Sequence, residues 1–209
     1  MPMRIVTNLA GLEPIAAARN AFADLEHWLY CHRSSGLKLH LIEAEQERRG
    51  REVLRLMLQA HIDSRGDGDV GPAIALRPGG SGPEIPYRHK RLRSRRLVTV
   101  FGEVAITRME YSSPGHPNLY PQDAVLGLPA RCYSYEIQRR LVKAAVKGPF
   151  DEATEALSEA TGVNIPKRTA EQIVADASVD FESFYTQRTR RLAPKSGPQW
   201  RSNRRVRWV

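Results

Sequence analysis

Lys167, Arg168, Thr169 and Gln172 stand together at the start of one predicted helix, immediately after Pro166. A guanidinium matches the two acceptors on guanine's edge and an amide the acceptor and donor on adenine's, while ammonium and hydroxyl groups hold phosphate oxygens. Their joint presentation would suit contact with a DNA groove. A second group, Arg91, Arg93, Arg95 and Arg96, lies in RHKRLRSRR at 88–96, where six Lys and Arg plus His89 are offset by no acid. Cations in such a run neutralise phosphates without regard to base sequence. Basic runs are equally often solvated faces. This one abuts a predicted hairpin able to hold it rigid, which favours the phosphate reading.

The elements that must carry the first group are legible in 148–178, GPFDEATEALSEATGVNIPKRTAEQIVADAS. Phe150, Ala153, Leu157 and Ala160 recur at spacings of three and four, one face of a helix. Gly162 falls where a chain leaving a helix needs a left-handed residue. Pro166 suits the first turn of the next helix, since its missing N–H has no partner to lose. There Ala170, Ile173, Val174, Ala177 and Phe181 form the apolar stripe, leaving Lys167, Arg168, Thr169, Glu171 and Gln172 outward. A helix predicted over 133–147, with Ile137, Leu141 and Ala144 or Ala145 on one side, closes a three-helix core. Helix-turn-helix domains share this order and read bases with the early residues of the last helix. Short helix pairs joined at a glycine are also common in domains that bind no DNA.

Upstream, a helix is expected over 13–32, with Ile15, Ala18, Phe22, Leu25 and Leu29 on its apolar side and a break at Ser34-Ser35-Gly36. A longer helix covers 39–64, burying Val53, Leu54, Met57, Leu58 and Ile62. Its polar first half, EAEQERRGRE, projects or pairs with another chain, and Gly50 interrupts its pattern. Gly and Pro then dominate to residue 86 and mark a turn and linker. Strands at 97–101 and 104–111 meet at Gly102-Glu103, with Val104, Ile106 and Arg108 alternating against Ala105, Thr107 and Met109.

The expected fold is therefore mainly α with one β-hairpin, an α+β chain. An N-terminal helical region at 1–70 is followed by a linker at 71–86 and by the basic segment with its hairpin at 87–112. A helix-turn-helix domain at 130–186 and a disordered basic tail at 187–209 complete it. The 209 residues allow one domain or two small ones, and 41% hydrophobic content supports a core. No apolar run has the length of a membrane span and no signal peptide opens the chain. With only Cys31 and Cys132, a disulfide framework or zinc cluster is excluded and a reducing cytoplasm is the expected setting. The net charge of +9 is concentrated. Residues 187–209 hold 8 of the 32 Lys and Arg and none of the 23 Asp and Glu, leaving 24 basic against 23 acidic elsewhere.

Other candidate sites fall away on spacing. Asp63, Asp67 and Asp69 lack the rest of a calcium loop and its terminal Glu. His27, Cys31, His32 and His40 lack a second set of ligands. Asp151, Glu152, Glu155 and Glu159 suit a helix surface, the first of them its dipole. No phosphate loop, nucleophile elbow or zinc-protease motif occurs, so no catalytic residue is assigned.

Three runs taken in order, RRGREVLRLMLQAHIDSRGDGDVGP, RLRSRRLVTVFGEVAITRMEY and LPARCYSYEIQRRLVKAAVKGPFDEATEALSEATGVNIPKRTAEQIVADASVDFESFY, resemble the N-terminal part of ISKra-type insertion-sequence transposases. The resemblance covers most of 48–185. It implies a bacterial, nucleoid-associated protein that binds double-stranded DNA at terminal inverted repeats. It also implies an RNase H-like domain with an acidic triad and divalent metal, Mg or Mn, acting on phosphoryl transfer. That domain is expected to begin after Ser196-Gly197-Pro198, where this chain reads QWRSNRRVRWV without Asp or Glu. The expectation is a DNA-binding portion without its catalytic domain, the tail being out-of-frame translation, with no cofactor of its own. A homodimeric protein-interaction module paired through 39–64, or an inert remnant, are the alternative classes.

Overall fold

The computed structural model describes residues 15–77 and 83–179. In order, its elements are α1 (Ala16–Tyr30), α2 (His32–Ser35), α3 (Leu39–Ser64), β1 (Ile74–Leu76), β2 (Ile85–Tyr87), β3 (His89–Thr99), β4 (Gly102–Ser112), α4 (Pro121–Leu126), α5 (Tyr135–Ala145), α6 (Phe150–Thr161) and α7 (Lys167–Ser178). Among the described residues the fold is thus mixed, with seven helices and two antiparallel hairpins, β1–β2 and β3–β4. The second hairpin is the expected one. The first falls inside the predicted linker, pairing Ile74 with Tyr87 and Leu76 with Ile85. Its strands are too short for alternation to register, and packing of Ile74, Ile85 and Tyr87 against Met109, Tyr111 and Leu119 holds them. The basic tail and Phe181 lie outside the described residues.

The long helix spans 39–64 as expected, and Gly50 does not break it because no atom crowds its Cβ position and its backbone stays helical. The expected apolar face is rotated. Val53, Ala60 and Ile62 are buried, while Leu54 and Met57 are close to half exposed. Ile62 and Leu58 meet Leu97, Val104 and Ile106 of the hairpin. The polar half of α3 does not project: it lies along α1, and the Arg49 guanidinium sits 5.1 Å above the Trp28 ring. The first helix ends at Tyr30, before the predicted break, and Phe22 faces outward at 57% exposure.

Strand β3 starts at His89, so the basic run is itself strand and not a flank of one. The register from His89↔Ser112 to Thr99↔Gly102 puts the turn at Val100-Phe101, just before the predicted Gly102-Glu103. Gln59 of α3 caps the free edge of β4: its amide nitrogen donates to Ala105 O at 2.8 Å, and Ala105 N–H donates to its oxygen at 2.9 Å. The opposite edge, on β3, takes up the segment before α5. Val98 N–H donates to Cys132 O at 2.7 Å, and Ser134 N–H to Val98 O at 2.9 Å.

The loop after α3 is a clamp. Asp67 and Asp69 spend their Oδ1 atoms on the N–H groups of Asp69 and Gly71. The Tyr111 hydroxyl, fully buried, lies 2.8 Å from Asp69 Oδ1 and accepts from Val70 N–H at 3.0 Å. Gly68 has φ +76°, and an added Cβ would meet Gln122 N at 2.7 Å, so this close approach requires glycine. The Lys90 ammonium, 2.6 Å from Asp69 Oδ2, with the Gly71 N–H and the Tyr111 hydroxyl, pushes the Asp69 carboxyl down to about 2. A folded value below the unfolded ~3.9 adds stability that is complete above the latter and lost as pH falls through the former. Denaturation midpoints should therefore decline between pH ~5 and ~2, and Asp69→Asn should flatten that decline. A variant with an unaltered acid limb would remove Asp69 from the account.

Candidate nucleic-acid interface

The three C-terminal helices pack around Ile137 and Leu141 of α5, Ala153 and Leu157 of α6, Val163 and Ile165 of the connection, and Ala170 and Ile173 of α7. The side chain of Ser134 caps α5 by accepting from Ile137 N–H. Gly162 ends α6 in the left-handed region, at φ 69°, and Pro166 directly precedes α7. Val163 and Ile165 turn inward, so Asn164, Pro166, Lys167 and Arg168 are left exposed. Two members of the predicted stripes sit outside: Ala160 and Ala177 are exposed, and Thr161 takes the last inward position of α6. Its hydroxyl can do so because it donates to Leu157 O and accepts from Val163 N–H.

At the start of α7, Lys167 Nζ lies 2.7 Å from Asp151 Oδ2 of α6, which raises the lysine pKa. Thr169 is half-buried. Gln172 is exposed, and its Oε1 accepts from Arg131 Nη1 at 3.3 Å. Arg131 also holds Asp176 at 2.6 Å, lowering that carboxyl's pKa. Arg168 is exposed and, among the described residues, makes no side-chain hydrogen bond or ion pair. The outward charges of α7, Lys167 and Arg168 against Glu171 and Asp176, cancel. Any net positive field at this helix comes from its neighbours.

The four strand arginines separate by the two-residue period of β3. Arg91, Arg93 and Arg95 share one face with Arg108 and Glu110 of β4, and Arg96 lies on the other. Arg93 Nε approaches Glu110 Oε2 at 3.4 Å, and the Tyr120 hydroxyl donates to the same oxygen at 2.5 Å. Together, the hydroxyl foremost, they hold the buried Glu110 carboxyl below its ordinary range. Arg108 pairs with Asp123 and stacks 3.8 Å above the Tyr120 ring. Arg95 turns inward. Its Nη2 reaches the carbonyls of Pro129, Ala130 and Arg131 at 2.5, 3.1 and 2.5 Å, and its Nη1 lies 3.6 Å from Asp123. Arg96 pairs with Glu103 on the exposed face. Arg91 stands opposite Glu110, exposed, with no side-chain bond among the described residues.

Arg131 links the two groups, since its carbonyl receives Arg95 while its guanidinium rests on α7. A lone arginine in a proline-rich connector carries no periodic signal, so sequence reasoning passes over it. Elsewhere, His27, Cys31 and His32 line one shallow cavity with Arg49, apart from His40. Among the described residues no three His, Cys, Asp or Glu side chains converge as a metal site would require. No described helix is long and apolar enough to cross a membrane. In comparisons with known proteins the chain matches no family model, and no curated protein or solved structure shows significant similarity to it.

Proposed function

We propose that this chain is a DNA-binding portion of an insertion-sequence transposase that recognises the terminal inverted repeats of its element, in association with the bacterial nucleoid. In this reading α6, the Gly162 turn and α7 act as a helix-turn-helix, and α7 enters the major groove. The observation that carries it is Arg168, exposed and unengaged among the described residues on the first turn of a helix whose opposite side, Ala170 and Ile173, is only 0% and 1% exposed. Arg168 and Gln172 read base edges, Lys167 and Thr169 position the helix, and Arg91, with Arg93 on the same face, meets the backbone. Strand-transfer chemistry and its divalent metal are assigned to no residue of this chain.

Duplexes selected from a random pool by the full chain should share a consensus. Arg168→Ala should bind that consensus more weakly by ~1–3 kcal/mol and lose preference at one position. Selection of no consensus, or identical binding by the variant, would refute the recognition helix. Exposed Leu54 and Met57, one turn apart on α3, leave an apolar patch for a second copy, and two chains per duplex in the same titration is the expected stoichiometry.

A further inference from the structure

The groove between α5 and α6 is lined by Arg139, Arg140, Lys143 and Lys147 and encloses about 530 Å³. Arg139 and Lys143, one turn apart on α5, form a ridge ~6 Å long at the helical rise, which Lys147 continues just past the helix end, with Arg140 beside it. Arg139 and Arg140 share a single carboxylate, Glu136, at 2.7 and 2.9 Å. Among the described residues Lys143 and Lys147 have no ion-pair partner. Glu152 is the one acid in the lining, so the groove stays net positive even with Glu136 counted against it. That is the field α7 lacks. The groove's floor is built of small residues, Ala144, Ala153, Ala156 and Ala160, with Leu157. No aromatic ring lines it to stack an unpaired base. A duplex strand presents evenly spaced phosphates and no exposed base face, which suits such a surface.

We propose that this groove is a second DNA contact, in which Lys143 and Lys147, flanked by Arg139 and Arg140, hold the phosphates of one strand of a duplex while α7 addresses the bases. It rests on the DNA-binding reading above, and adds that the non-specific part of the affinity resides on α5. The test uses the full chain and a short duplex of mixed sequence, titrated between ~50 and ~200 mM salt. The double variant Lys143→Gln, Lys147→Gln should bind roughly tenfold more weakly at the lower salt. Its slope of log affinity against log salt should be flatter by ~1.8, at ~0.9 per lost phosphate contact. Lys38→Gln, on the remote N-terminal helices, should change neither. Because Lys147 lies beyond the end of α5, Lys147→Glu alone supplies a variant that leaves the helix intact, and it should weaken binding in the same direction. An unchanged slope in the double variant, with the parent still binding, overturns the groove and leaves α7 standing. A single strand bound as tightly as the duplex also overturns it. Failure of the parent to bind any duplex overturns the DNA reading itself.

Discussion

Leu141→Ala should lower the free energy of unfolding by about 2–5 kcal/mol. Leu141 is fully buried, and with Ile137 it is α5's share of a core of eight buried residues, with Val142, Ala144 and Ala145 packed at its margin. Removing its isobutyl group takes away apolar burial and leaves a cavity that fixed helices on two sides cannot fill. The loss is large relative to the total, because domains of this size have only ~5–15 kcal/mol in hand. It also has a particular address. Ala170 and Ile173 reach α5 through this core, so α7 should loosen first, and its amides should lose hydrogen-exchange protection before those of β4. Urea titration gives the magnitude and exchange gives the location. Val146→Ala, at a position 81% exposed one residue beyond the helix, should stay within about 0.5 kcal/mol of the parent. A loss below about 1 kcal/mol for Leu141→Ala would mean that α5 does not seal the three-helix unit.

The parts of this fold legible in the sequence are those where one periodicity dominates. The bounds of α3 at 39–64, the left-handed Gly162 and the inward pair Ile137 and Leu141 all follow from local rules: helix spacing, and a glycine where φ turns positive. Illegible were choices made by tertiary contact among residues equally fit for either role. Leu54 and Met57 are as apolar as Val53 and Ala60. The face that turns inward is decided by where Gln59 finds the Ala105 edge and where Ile62 finds Leu97 and Val104, neither of which spacing reveals. Phe22 is outward for the same reason: α1 buries Ala18 and Leu25, and among the described residues nothing covers the side that carries Phe22.

Charged strands hide more thoroughly. In HKRLRSRRLVT the alternation that marks a strand is carried by arginines on both faces, so composition reads as a basic run beside the hairpin and not as part of it. What converts it to strand is the partner: Glu110 against Arg91 and Arg93, Asp123 near Arg95, Glu103 against Arg96. The same pairing reshapes the candidate site. Four arginines that look interchangeable in sequence occupy four environments, and only Arg91 has its guanidinium unengaged among the described residues. On α5 the reverse holds. The ridge of Arg139, Lys143 and Lys147 was present in the spacing, but the apolar stripe of the same helix drew the reading toward packing.

Arg95→Ala should therefore behave as a folding variant and not as a DNA-contact variant, with a stability loss of about 2–3 kcal/mol. The side chain is 15% exposed, and it fastens three consecutive carbonyls of 129–131 to β3 just where the chain turns toward α5. A charged donor to a carbonyl contributes ~1.5–3 kcal/mol, and bonds sharing one nitrogen do not add. Truncation would also leave Asp123 with Arg108 as its remaining partner, in a place where Arg108 Nε and Asp123 Oδ1 already lack hydrogen bonds. Lysine should not restore the loss in full, because one ammonium cannot hold the carbonyls and approach Asp123 at once, as Nη2 and Nη1 do. Arg91→Ala supplies the contrast. It should leave thermal stability within about 0.5 kcal/mol of the parent, weaken all duplexes about equally and flatten the salt slope by ~0.9. If Arg95→Ala instead kept full stability and flattened the slope as Arg91→Ala should, its guanidinium would have to leave the carbonyls for phosphate. The 129–131 segment would then be held by the Arg131 side chain on α7 and by the Val98 bridge just beyond it, and Arg95 would join Arg91 and Arg93 as one surface after all.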